Sequence, residues 1–312
     1  MLTLAALAEL AAQFPSDLDR SVEPLLIGDR VFDVDARPAV MGTLNLSRDS
    51  TYRESIATST ESAIRKGRVM AAQGADLVDV GAESSTAKAS RVGANEQIAL
   101  LVPVIEALTD HGVIVSAETY EPAVVRACLE AGAQVLNLTG TAHHHEIYAL
   151  AAEFRATVVM CYVGGDNVRD ITNVTVDDDP IPGHLHHFAR RLAEARAAGV
   201  ERLVIDPGMG FFYGNLVDPM IRARHQSSVL LNTFRLRGLG VPICNAMPHA
   251  FDIFEDQFRT AEGFFTVLGV LGGTSILRTH EVAQVSAVVT AMQALGHSAE
   301  MPLLAAGIDH GA

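Results

Sequence analysis

Apolar residues along this chain fall into two alternating rhythms. Short unbroken runs at Ala39–Leu44, Leu77–Val80, Val113–Ser116, Val135–Leu138, Thr157–Cys161, Leu203–Ile205, Pro242–Cys244 and Ser275–Leu277 read as buried parallel strands. Between them, Ser59–Ala72, Asn95–Leu108, Pro122–Ala131, Leu185–Ala198 and Ala261–Leu271 repeat apolar positions at helical spacing. Glycine breaks at Gly74-Ala75-Asp76, Ala131-Gly132-Ala133 and Ala198-Gly199-Val200 fall where a helix should end and the next strand begin. Eight strands alternating with helices predict an α/β fold, a (β/α)8 TIM barrel, with a doubly wound open sheet as the alternative.

The first stretch stands outside that rhythm. Residues 1–36 read as an N-terminal helix and hairpin extension packed on the barrel, with Gly28-Asp29 turning the hairpin between Pro24 and Val34. No linker or composition break interrupts residues 37–300, so they form a single barrel domain, and 301–312 is a C-terminal tail.

Composition narrows the classes of partner. Of the 312 residues, 49% are hydrophobic and 19% charged, which supplies a large core and excludes a disordered chain. A formal net charge of -14 argues against nucleic acid or an anionic membrane as the main partner, while a local basic pocket can still hold a small anion. Cys128, Cys161 and Cys244 are far apart and read as free, buried thiols of a reducing compartment. The N-terminus lacks the basic start of a signal peptide, and the apolar run Gly263–Leu277 is too short to span a bilayer. The expectation is a soluble, cytoplasmic protein.

Barrels place their chemistry at the C-terminal ends of strands. The stretch Arg202-Leu-Val-Ile-Asp-Pro-Gly-Met-Gly-Phe211 puts Asp206 at such an end, before a sharp Pro207-Gly208 turn. Other strand ends present Asn45, Ser85 with Lys88 nearby, Glu118, Asn137, Asn245, Arg278 and His280. Glu118, Asn137 and Asp206 supply acceptors and an amide suited to a planar heterocycle with an amidine-like edge. Asn45, Ser85, Arg278 and His280 supply donors suited to a phosphate-like group. His143–His145 and His184/His186/His187 lack metal-site spacing and read as solvated loop histidines. Asp177–Asp179 reads as solvated loop charge, and Gly164-Gly165 as a hinge without a nucleotide fingerprint.

Met41-Gly-Thr-Leu-Asn-Leu-Ser-Arg-Asp-Ser50, Gly74-Ala-Asp-Leu-Val-Asp-Val-Gly-Ala-Glu-Ser84, Glu118-Thr-Tyr120, Asn137, Asp206-Pro-Gly-Met-Gly-Phe211 and Arg278-Thr-His280 resemble, in order and spacing, the signatures of the dihydropteroate synthase family. The resemblance covers roughly residues 38–296. It implies a dimeric pterin-binding barrel whose reaction replaces pyrophosphate on a reduced pterin's methylene with the amine of p-aminobenzoate. On that pattern Asn137 and Asp206 grip the pterin with Glu118 beside them. Asn45 serves a magnesium–pyrophosphate group, and Ser85, Lys88, Arg278 and His280 surround the anion.

The chain departs from the family at several of these places. Glu118 stands for an aspartate, and Leu138 for an acidic residue. Ser85-Thr86-Ala87 lacks the family's arginine, with Lys88 close by, and Phe211-Phe-Tyr-Gly214 lacks a lysine. The seventh strand runs into Cys244-Asn-Ala-Met-Pro-His249 where the family has serine, arginine and lysine. Asn245 resembles an asparagine of folate-dependent methyltransferases that reaches the pterin N5, which makes it, with Asp206, a catalytic candidate. Three readings follow: a synthase, a methyltetrahydrofolate- or folate-dependent transferase with another acceptor, and a non-catalytic pterin-binding paralogue.

Overall fold

The computed structural model describes residues 2–47, 56–57, 59–83, 91–163, 179–209 and 218–296. Helices α1 (Leu4–Gln13) and α2 (Pro15–Leu18) lead into an antiparallel hairpin of β1 (Leu25–Ile27) and β2 (Arg30–Phe32). Strand–helix alternation then runs through β3 (Ala39–Asn45), α3 (Thr60–Ala72), β4 (Leu77–Gly81), α4 (Ala94–Asp110), β5 (Val115–Glu118), α5 (Pro122–Glu130) and β6 (Val135–Leu138). It continues with α6 (His144–Glu153), β7 (Thr157–Cys161), α7 (Ile181–Ala197), β8 (Leu203–Asp206), α8 (Pro219–Asn232), β9 (Cys244–Ala246), α9 (Phe251–Phe254), α10 (Ala261–Leu271), β10 (Ile276–Thr279) and α11 (Val282–Gly296).

The eight strands β3 to β10 pair in parallel in the order β8-β7-β6-β5-β4-β3-β10-β9. A bridge between Ile205 and Ile243 closes the remaining seam, supported by Ile205 N donating to Pro242 O at 3.1 Å. The expected (β/α)8 barrel is therefore the fold. The glycine breaks work as helix stops: Gly74 and Gly132, after α3 and α5, hold φ of +104° and +102°, a region costly for any residue with a Cβ.

Strand alternation divides the core in two. Val40, Val78, Val80, Val115, Leu136 and Leu277 face outward and pack against the helices. Met41, Leu77, Val135, Val159, Val204 and Ile276 face inward and fill the lower barrel. Leu25 and Ile27 of the hairpin, at 2% and 1% exposure, join that inner cluster. Thr157 Oγ1, at the lower end of β7, donates to Leu26 O at 2.5 Å. The N-terminal segment thus floors the barrel, and the C-terminal strand ends lie at the opposite end.

Two readings of the sequence change here. The seventh strand runs Cys244–Ala246, two residues later than expected, so Asn245 sits inside a strand. His184 and His187 are not solvated loop residues: both lie on α7, His184 is buried, and both rings pack edge-on against Tyr162. Burial depresses the pKa of each to about 4. Asp179 is exposed loop charge, as expected, and in addition accepts both Arg235 guanidinium nitrogens at 2.9 and 2.7 Å. Asp177, Asp178 and Gly164-Gly165 lie outside the described residues. All three cysteines are free and buried, as expected.

Candidate active site

The upper barrel holds a network of charged side chains from four strands. Asp79, at the centre of β4 and fully buried, accepts three hydrogen bonds. Ser116 Oγ of β5 donates to Oδ1 at 2.7 Å, while Asn137 Nδ2 of β6 and Arg278 Nε of β10 donate to Oδ2 at 2.9 and 2.8 Å. The Arg278 guanidinium also binds Glu118 of β5 through Nη2. A carboxylate taken out of water needs donors of this kind, and an arginine can bridge two acids because its N–H groups fork.

Asp206 closes the adjoining wall at the end of β8. Its Oδ1 accepts the Gly208 amide at 2.7 Å, across the Pro207-Gly208 turn, and the Cys244 thiol also hydrogen-bonds it. Asn137 Oδ1 accepts from Cys161 Sγ at 3.4 Å, so a thiol supports each of the two polar residues. Burial raises both thiols well above their ordinary range, which makes them spacers and weak donors with no nucleophilic role.

Among the described residues of this network, Asp79, Glu118 and Asp206 share the space with the single guanidinium of Arg278. Burial, opposed by Gly208 and Arg278, pushes the Asp206 carboxyl up to about 6. Burial likewise raises Glu118, with Arg278 pulling it back and Asp79 and Asp206 repelling it further. One cation cannot neutralise three buried anions, so the site stores protons near neutral pH.

The structure unites most of the expected residues. Glu118, Asn137, Asp206 and Arg278 all project inward at one level. Asn45 occupies the last position of β3, opposite Gly81. Thr43, two residues earlier and 2% exposed, has a hydroxyl without a hydrogen-bond partner. His280, two residues after Arg278, turns to Glu262, its Nδ1 lying 3.1 Å from Oε1. Ser85 and Lys88 lie outside the described residues.

The catalytic expectation for Asn245 is not met by the geometry. Its neighbours Cys244 and Ala246 face inward, so Asn245 faces the helix layer. There its Nδ2 donates to Thr233 Oγ1 at 3.0 Å and Thr274 Oγ1 at 2.8 Å. Asn245→Ala is therefore expected to lower folding stability by about 1–2 kcal/mol through the two lost hydrogen bonds, with ligand affinity within about threefold of the parent. Loss of ligand binding with unchanged stability, by urea titration and calorimetry, would return Asn245 to the site.

Sequence reading missed Asp79, Ser116 and the two thiols. For Asp79 the signal was present: a lone carboxyl between Val78 and Val80, on the inward register of a buried strand, must find a partner.

Comparison with known proteins matches this geometry to a family. The model of the pterin binding enzyme family covers residues 41–280. The dihydropteroate synthase of Synechocystis is 29% identical over 284 residues, 87% of this chain and 95% of that protein. The Bacillus subtilis dihydropteroate synthase is 27% identical over 87% of this chain and 91% of its own. The Xanthomonas albilineans dihydropteroate synthase solved with 4-aminobenzoic acid superposes with a TM-score of 0.74 at 28% identity, covering 89% of this chain and 99% of that one. The same enzyme solved with 7,8-dihydropteroate gives a TM-score of 0.70 at 27% identity, over 88% and 99% of the two chains. The chain belongs to the pterin-binding enzyme family, in its dihydropteroate synthase branch.

Proposed function

We infer that the protein is a dihydropteroate synthase-type transferase that binds a reduced pterin diphosphate in the barrel mouth and joins it to an arylamine such as p-aminobenzoate. The observation that carries this reading is the inward-facing set Asp206, Asn137 and Arg278 at one level of the barrel. Asp206, once ionised, accepts the paired N–H donors of the pterin's pyrimidine edge, and Asn137 offers an amide to the same ring. Arg278 has five N–H donors, of which Asp79 and Glu118 take two, leaving others for an anionic leaving group. The amine lone pair forms the new C–N bond as the C–O bond to pyrophosphate breaks, and the amine proton leaves to solvent. Most of the catalysis is then positioning and charge stabilisation.

Asn45 offers an amide oxygen, a donor Mg2+ accepts alongside substrate phosphate oxygens, and the ion would draw charge off the departing pyrophosphate. Ser85 and Lys88, on sequence grounds, complete the anion pocket with Arg278 and His280. A homodimer in the cytoplasm is part of the same proposal. The net charge of -14 weighs against a nucleic-acid or membrane partner. Among the described residues no helix is long and apolar enough to cross a membrane. The folate methyltransferase reading loses its main support with Asn245 turned away from the site.

The decisive assay is pyrophosphate release from dihydropterin diphosphate with magnesium, with and without p-aminobenzoate. Release dependent on p-aminobenzoate is the expected result. Pterin binding with no release under either condition would point to a paralogue that keeps the pocket without the chemistry.

A further inference from the structure

Beside this network three side chains converge from separate elements, and one of them, His280, is also assigned to the anion pocket above. His249 lies in the turn between β9 and α9, Glu262 in the first turn of α10, and His280 just past β10. The two Nδ1 atoms each lie 3.1 Å from Glu262 Oε1, and all three candidate ligand atoms lie within 4.8 Å of one another. Among the described residues this is the one such grouping. Glu262 is buried, while His249 and His280 keep 25% and 13% of their side chains exposed, so the cluster opens to solvent on the histidine side.

Hydrogen bonding alone fits this arrangement poorly. Glu262 Oε2 accepts Thr279 Oγ1, the His280 amide and the Glu281 amide, while Oε1 receives both imidazoles. Those five donors exceed the roughly four lone-pair sites of a carboxylate. The three contacts on Oε2 have a clear purpose, since they fix the carboxylate and leave Oε1 as its working atom. Ligands about 2.0–2.2 Å from a tetrahedral ion lie about 3.3–3.6 Å from each other, so the two 3.1 Å contacts to Oε1 suit an ion, and the two imidazoles, within 4.8 Å of each other, would close around it.

We propose that His249, Glu262 and His280 form a binding site for a divalent transition-metal ion of the zinc class. Two imidazoles and one carboxylate are a set that zinc takes while retaining an open position, here available to an anionic oxygen. On binding, each ring carries its proton on Nε2 and gives Nδ1 to the ion. From Cys244 to Phe258 the chain has no lysine or arginine, so the ion would add positive charge beyond the β9 strand end, supplementing Arg278 of the neighbouring strand.

The test uses the full chain stripped with EDTA and titrated with Zn2+, then with Co2+, whose visible absorption reports coordination number. One equivalent is expected to bind, with cobalt bands of a four- or five-coordinate site, unaffected by excess Mg2+. His249→Ala should weaken binding by more than about 100-fold, since losing a ligand outweighs losing a supporting contact. His280→Gln serves as the second variant if loss of His249 disturbs its turn. Absence of stoichiometric binding, or equal affinity in both folded variants, overturns the site. Neither result depends on pterin or pyrophosphate, so synthase activity is tested separately.

Discussion

Arg278→Met is expected to lower folding stability by about 3–5 kcal/mol, the cost typical of removing one partner from a buried ion pair. Arg278, Asp79 and Glu118 keep only 14%, 0% and 10% of their side chains exposed, so water cannot replace the lost guanidinium. Asp79 retains Ser116 and Asn137, but Glu118 loses the one cation pulling its pKa down. A carboxyl whose pKa is raised in the folded state binds a proton there that the unfolded chain releases. Stability is therefore full below the unfolded value, near 4.5 for a glutamate, and falls as pH rises through the folded one. The variant's deficit should accordingly be larger at pH 8 than at pH 5. Urea unfolding at both pH values measures it, and a loss below about 1 kcal/mol at pH 8 would mean the network is not what holds the mouth.

Asp206→Asn is expected to cut kcat/KM by about 10²–10⁴-fold, from two charge-assisted hydrogen bonds worth about 1.5–3 kcal/mol each. Asparagine fills the same space but turns an N–H donor toward the donor edge of the pterin. The parent's pterin affinity should climb with pH until Asp206 ionises near 6 and then level, and the variant's should stay flat. Folding gives the complementary sign. The raised Asp206 pKa costs the parent stability as pH rises from about 3.8 to about 6, and the asparagine variant escapes that loss. Calorimetric pterin titrations from pH 5 to 8 test the point, and a parent profile as flat as the variant's would remove Asp206 from ligand contact.

The barrel was legible because its signal is repetitive: eight apolar runs, helical spacing between them, and glycine at helix ends. Most of the site was legible because polar residues at strand ends have no packing role there. What escaped has specific physical reasons. Asn245 was misread because the strand runs two residues further than expected, which moves it from the loop beyond the strand to an outward-facing position within it, and a three-residue strand leaves little pattern to fix that boundary. Asp79 was hidden within an apolar run, although its partner Arg278 was in view 199 positions away. Asp179 and Arg235, 56 positions apart, and the His249–Glu262–His280 group are made by tertiary proximity alone, which no local spacing encodes.

The hairpin floor has an electrical consequence. Val204 and Asp206 are two positions apart on one strand, as are Leu77 and Asp79, so the barrel interior passes from oil to charge within about 7 Å. The network is therefore insulated from beneath and open only above. Dissolved ions can damp its field only through the mouth, so Arg278 and the three carboxyl groups act at a lower effective dielectric than their nearness to an opening suggests. A substrate that fills the mouth closes the last conducting path, and its own charges then meet that field undamped.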